Sequence, residues 1–174
     1  MVNTVDYIDK LSEEATLRGF LATSNQLFSK AVEQLIERVF RKTDFALKSV
    51  VDSLFEHQGP LADLSVRLKV LLGLGVISPK VFEDISLFLE VKSHLSEEEE
   101  DFPFSHPAVM QFAKDLNHVD FLPINELLNV KATKGNKDSM LFQMQQMRLE
   151  KIVRSSLILA VTEIDEQLNV ESPL

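Results

Sequence analysis

Between Leu17 and Phe40 the apolar side chains fall at positions 17, 20, 21, 27, 28, 31, 32, 35, 36, 39 and 40, interrupted only by Ser24. That three-and-four spacing runs through about seven turns and is the signature of one long amphipathic helix. A strand, whose side chains alternate at every residue, would throw half of this set into water. A helix of that length must bury its stripe against other helices, so the stretch already selects a helical bundle. The remaining chain agrees, since no segment sustains a two-residue alternation. A short helix is predicted around residues 3–14, and a last long one runs from about Asp138 to Leu168.

Local signals set the elements between. Thr43 or Asp44 can cap a helix carrying Phe45, Leu47, Val50, Val51, Leu54 and Phe55. Pro60 suits the first turn of a helix over 60–73, which Gly73 and Gly75 end. Ser78-Pro79 pairs a cap with a first-turn proline and opens a helix through Val91. The run "SEEEED" (96–101), followed by Pro103 and Pro107, reads as a solvated break, with short helices or turns around 105–117 and 121–129. "KATKGNKD" (131–138) reads as a linker. The expected fold class is all-α: a compact single-domain multi-helix bundle over 1–174, with two long helices, several short ones, and breaks around 96–107 and 131–138.

Charge narrows the function classes. Eighteen Lys and Arg against 27 Asp and Glu give a net charge of −9. Residues 1–87 hold 10 bases and 12 acids, and residues 88–174 hold 8 and 15. Affinity for a nucleic-acid backbone comes from bases that displace counterions, so the field of this chain opposes DNA approach. The chain has no cysteine, which removes disulfides and thiolate metal sites from consideration. The opening "MVNTVDYIDKLSEE" has neither a basic nor an apolar leader region, and no apolar run approaches the ~18–20 residues that a bilayer requires. A cytoplasmic protein without membrane contact is expected.

Candidate chemistry is sparse. "LSVRLKVLLGLGVISPKVFEDISLF" has a helix–turn–helix outline, but its second helix opens with Ser78, Pro79, Lys80, Phe82, Glu83 and Asp84. One base against two acids makes a poor reader of DNA. Gly73 and Gly75 follow a helix rather than a strand, so they are caps and not a phosphate loop. His57, His94, His106 and His118 are scattered. Glu90, His94 and Glu98 share one helical face, which reads as solvated rather than as a metal site. No nucleophile motif is present. Met140, Met144 and Met147 are assigned to the buried stripe of the last helix. No catalytic residue, metal or cofactor is expected.

Two charged pairs lie within apolar helices. On a helical wheel Leu61, Leu64, Leu68, Leu71 and Leu72 form one apolar face, and Val66, Val70 and Leu74 form a second. Asp63 and Arg67 stand between the two, four residues apart, as an enclosed pair that holds helices in register or, alternatively, faces a cleft. Arg154 and Glu163 are embedded in the same manner in "VRSSLILAVTEI".

Three stretches, "VFRKTDFALKSVV" (39–51), "GPLADLSVRLKVLLGLGVIS" (59–78) and "VRSSLILAVTEI" (153–164), resemble the mannitol operon repressor (MtlR-like) family of bacterial regulators. The likeness extends from about Leu17 to Leu168. It implies an all-helical cytoplasmic repressor of mannitol uptake and use, in a family without a recognisable DNA-binding motif. A non-enzymatic regulator acting through protein contacts is therefore expected, with a component of the sugar phosphotransferase system as partner. Arg38, Arg41, Lys42, Lys48 and Lys69 are the candidate docking face. Direct DNA contact by a basic face shared across a homodimer, and small-ligand sensing at Asp63 and Arg67, are the alternatives.

Overall fold

The structure, a computed structural model, describes residues 4–40, 63–97, 99, 101–132, 140–171 and 173. Seven helices lie among them: α1 (Thr4–Glu13), α2 (Leu17–Phe40), α3 (Leu64–Gly73), α4 (Pro79–Glu97), α5 (Pro107–Asp115), α6 (Leu122–Ala132) and α7 (Met140–Leu168). Among the described residues there is no strand, only an isolated bridge between Thr16 and Pro103. The all-α class follows directly from the helical period of the apolar residues.

α2 is the central element. It packs against α1, α3, α4 and α7, and α7 in turn packs against α1, α5 and α6. Its apolar stripe from Leu17 to Val39 is buried along its length, and Ser24 joins that stripe by giving its hydroxyl to the Phe20 carbonyl at 2.8 Å. Edge-on aromatic contacts tie the layers together. Phe28 meets Phe88 at 5.1 Å, Phe88 meets Phe112 at 5.1 Å, and Phe20 meets Phe104 at 5.7 Å between ring centres. Such T-shaped pairs bring ring edges onto ring faces, the favourable quadrupole arrangement.

The glycine-closed turn between α3 and α4 behaves as its sequence requires. Gly75 takes a φ of 72°, its amide donates to the Leu72 carbonyl, and the Val76 amide donates to the Leu71 carbonyl. This pair of bonds is a Schellman closure, and a left-handed residue at that position favours glycine. Ser78 then accepts the Val81 amide on its hydroxyl at 3.2 Å and starts α4.

Three local expectations are corrected. α3 begins at Leu64 rather than at Pro60, because Asp63 is extended and its carboxylate accepts the Ser65 amide as an N-cap. α4 continues to Glu97, so the break expected from residue 96 starts later; glutamates are good helix formers and prolong the last turn. Within the acidic run, Asp101 is not simply solvated. Its carboxylate accepts the Thr16 hydroxyl at 2.5 Å, the Arg18 amide at 3.1 Å and the Phe102 amide at 2.8 Å. It thereby serves from a distance as the acceptor for the first turn of α2. The helix expected over residues 45–55 lies outside the described residues.

Candidate functional site

Two features stand out, and α7 contributes to both. The first is its outward face. At 100° per residue, Met140, Met144 and Met147 lie within an arc of about 60°, with Leu141 beside them. These four side chains are 78%, 61%, 69% and 49% exposed. The assignment of the three methionines to the core is thus corrected. The buried stripe of α7 consists of Leu149, Val153, Leu157, Ala160, Val161, Ile164 and Leu168, on the opposite side of the helix. Beyond the methionines the same outward face continues into exposed Arg148 and Lys151. Large apolar side chains gathered on one exposed face are uncommon unless a partner covers them, and methionine adapts readily to such surfaces.

The second feature is a buried polar tether opening onto a cleft. Asp84 lies in the apolar register of α4, between Val81 and Ile85, and is 1% exposed. A carboxylate in that position must find donors, and it finds four. Oδ1 accepts the Asn117 amide at 2.8 Å and the Asn117 Nδ2 at 3.0 Å, while Oδ2 accepts the His118 amide at 3.0 Å and the His118 Nδ1 at 2.6 Å. Nδ1 donates to the Asp84 carboxylate, and Gln167 Nε2 of α7 lies 3.1 Å from the other ring nitrogen. Asp84 thus fixes both the connection between α5 and α6 and the orientation of the His118 ring.

His118 forms part of the wall of a cleft of about 600 Å³. Lys80 at the start of α4, Asn117, Val119 and Asp120 in the connection, and Glu163, Glu166 and Gln167 of α7 complete its lining. Asp120 also caps α6 by accepting the Leu122 amide at 3.1 Å. On the side of α7 that faces α1, Asp165 is buried and accepts the Thr4 hydroxyl at 3.0 Å. Burial pushes its carboxyl above the ordinary aspartate value and the charge of Glu166 adds to this, against the lowering effect of hydrogen bonds from Thr4 and Asn169.

The residues singled out from sequence are dispersed. Asp63 is an exposed N-cap, and Arg67 is half-buried one turn further on. Arg154 and Glu163 are nine residues apart, which places them on opposite sides of α7. Arg154 gives Nη1 to the Glu14 carbonyl at 3.2 Å and lies over the Phe104 ring, whereas Glu163 is exposed at the cleft. Arg38 turns inward, donating from Nε to the Val170 carbonyl at 2.9 Å and from Nη2 to the Leu168 carbonyl at 2.8 Å. There it ties the end of α2 to the carboxyl end of α7, where a cation is favoured. Lys69 is exposed on α3; Arg41, Lys42 and Lys48 lie outside the described residues. Glu90 and His94 are exposed, and Glu98 lies outside the described residues. Among the described residues no group of three acidic or histidine side chains is placed to hold a metal, and no helix is long and apolar enough to cross a membrane.

Sequence reasoning missed Asp84, His118 and Gln167. One signal was available: Val81, Asp84, Ile85 and Phe88 share a single face, so a carboxylate stood in an apolar stripe. Its partner, 34 residues away, had no such mark.

The model of the family described as "Mannitol repressor" matches residues 3–169. The mannitol operon repressor of Escherichia coli (strain K12) is 34% identical over 164 residues, which is 94% of this chain and 81% of that protein. Fumarase E of the same strain is 23% identical over 164 residues, 94% of this chain and 95% of that protein. The X-ray structure of the MtlR–HPr complex from Escherichia coli contains a chain that superimposes with a TM-score of 0.85 at 33% identity, covering 96% of this chain and 98% of that one.

Proposed function

The chain belongs to the mannitol repressor family, and on that footing we propose that it represses genes of mannitol uptake and use without catalysing a reaction. It does so by binding HPr or an equivalent component of the sugar phosphotransferase system. One observation carries the contact mechanism: the exposed face of Met140, Leu141, Met144 and Met147 on α7. The relative crystallised with HPr supports the choice of partner. Of the basic residues expected to dock a partner, Arg38 is engaged within the fold and Lys69 is exposed; the apolar face, with Arg148 and Lys151 at its edge, is the surface that supports the contact reading.

The test is calorimetric titration of the full chain with HPr, beside a variant carrying Met144→Glu and Met147→Glu. Both side chains are exposed, so the variant should melt with the parent. A charge in the centre of an apolar interface should weaken binding at least tenfold. Equal affinity of the two proteins would remove α7 from the interface, and loss of self-association in the variant would mean that a second copy covers the face. Anisotropy of DNA from upstream of the mannitol genes, measured across a range of salt, tests the direct-binding alternative. Selective binding with a steep salt slope would overturn the protein-contact mechanism.

A second reading has its own support. The Asp84–His118 pair presents a ring nitrogen towards a cleft, as a general base would, and Fumarase E is a relative. Asp120, Glu163 and Glu166 around that cleft repel a dicarboxylate, with Lys80 alone to offset them. Incubation with fumarate decides the matter. Malate formed by the parent but not by His118→Gln would make the chain an enzyme.

A further inference from the structure

Beyond the methionines, the outward side of α7 stays open for about five further turns. Arg148, Ser155, Leu159 and Glu166 are all exposed there, and at 100° per residue they fall within an arc of about 40°. Leu159 is 67% exposed. Neither Arg148 nor Glu166 has an ion-pair partner among the described residues.

The order of these four side chains selects the partner. Arg148 and Glu166 are separated by about five whole turns, so they point the same way. They are equidistant from the level of Leu157, and so are Ser155 and Leu159. A second copy laid antiparallel about that level therefore brings Glu166 opposite Arg148 and Leu159 opposite Ser155. Opposite charges meet at both ends, and at the centre each large side chain faces a small one that leaves it room. In such a two-fold contact every pair forms twice.

The reach is sufficient. Each charged pair lies about 13 Å from the centre along the helix. At a crossing angle of about 20° and an axial separation of about 8–10 Å, an arginine and a glutamate still bridge the two axes there. Each copy carries a net charge of −9, but at physiological salt repulsion beyond about 8 Å is largely screened.

We propose that the exposed middle of α7 is a self-association surface. A second copy of this chain packs antiparallel on it, Arg148 of each copy pairing with Glu166 of the other and Leu159 seating against Ser155. Glu166 also lines the cleft beside His118, so the second copy's Arg148 stands at the rim of that cleft and offsets its acidic charge. Arg148 borders the methionine face as well, but self-association is measured without HPr, so either reading can fail without the other.

Sedimentation equilibrium of the full chain at about 0.15 M salt should show a monomer–dimer equilibrium with a Kd below about 100 μM. Arg148→Glu and Glu166→Arg each set like charges against one another at both ends of the contact. Each variant alone should therefore dimerise about tenfold more weakly or worse. In an equal mixture of the two variants every charge again meets its opposite, and the heterodimer should match the parent dimer within about threefold. Damage to the fold cannot produce that recovery. Leu159→Glu should weaken the dimer about tenfold. A parent that stays monomeric at about 100 μM would overturn the assignment. So would single variants that dimerise as the parent does, a mixture that stays dissociated, or a Leu159→Glu protein with the parent's Kd.

Discussion

Replacing Asp84 by alanine isolates the tether beneath the cleft. In the native fold its carboxylate serves four donors, but they are not equally dependent on it. Asn117 is exposed, so water can take over its amide and its side chain. The His118 side chain is 9% exposed, leaving its ring N–H and its backbone amide without a ready substitute. Two stranded donors at about 1–3 kcal/mol each place the loss near 4 kcal/mol, in line with the ~3–5 kcal/mol for removing one partner of a buried pair. In a chain of this length that corresponds to a fall in Tm of about 8–16 °C. Urea unfolding at neutral pH, followed by circular dichroism, measures it. The single variants Asp84→Ala and His118→Ala and their double complete a cycle. The double should be less destabilised than the sum of the singles by about 2 kcal/mol, because removing the imidazole removes one stranded donor. A cost below about 1 kcal/mol for Asp84→Ala, or strict additivity, would refute the reasoning. It would mean that water reaches the inner face of the connection between α5 and α6.

Three further outcomes follow from the same physics. Asp165→Asn should stabilise the protein at neutral pH, since burial raises the folded carboxyl's pKa and so penalises its charged form; thermal melts at falling pH should show the advantage shrinking from that raised value and vanishing below the ordinary 3.8. Asp101 has the opposite sign. Burial pushes its carboxyl up, but hydrogen bonds from Thr16, Arg18 and Phe102 and the charge of Arg18 outweigh that and hold it below 3.8. Asp101→Asn should therefore cost about 1 kcal/mol at neutral pH, the worth of a helix cap, with the difference lost as pH falls from 3.8 through the folded value. Asn25 is 4% exposed, and neither its Oδ1 nor its Nδ2 has a hydrogen-bond partner among the described residues. Asn25→Leu, similar in shape, should gain about 1–3 kcal/mol in urea unfolding; a loss of that size would show that the amide is bound.

The fold was legible because its dominant signal is periodic. α2 spans Leu17–Phe40 as the apolar spacing predicts, and α7 ends at Leu168 as expected. Turn chemistry was equally readable where the geometry demands a residue type, as at Gly75. Helix ends were less so. Pro60 and Asp63 are both good starting residues, and sequence alone does not rank a first-turn proline against an aspartate that can accept the amide two residues later. Asp101 escaped notice for a related reason. It caps α2 from 83 positions away, a distance over which no local pattern operates.

The functional surface was harder because each of its parts looks like something commoner. Three methionines at helical spacing read as core, yet the stripe they begin continues through Lys151 and Ser155. The stripe that starts at Leu149 continues through Val153, Leu157 and Ile164. Following each register to its end, rather than scoring the methionines alone, separates the covered face from the open one. The same rule exposes Asp84 and Asp165, the two carboxylates set in otherwise apolar registers. Asp84 sits against His118 in the cleft wall, whereas Asp165 turns to the other side of α7, towards Thr4 of α1. A carboxylate that breaks a buried stripe costs stability unless its donors are supplied. Finding the donors of Asp84 therefore leads to the cleft, and those of Asp165 to the seam between α7 and α1, whereas the exposed glutamates on the rim of the cleft carry no such mark in the sequence.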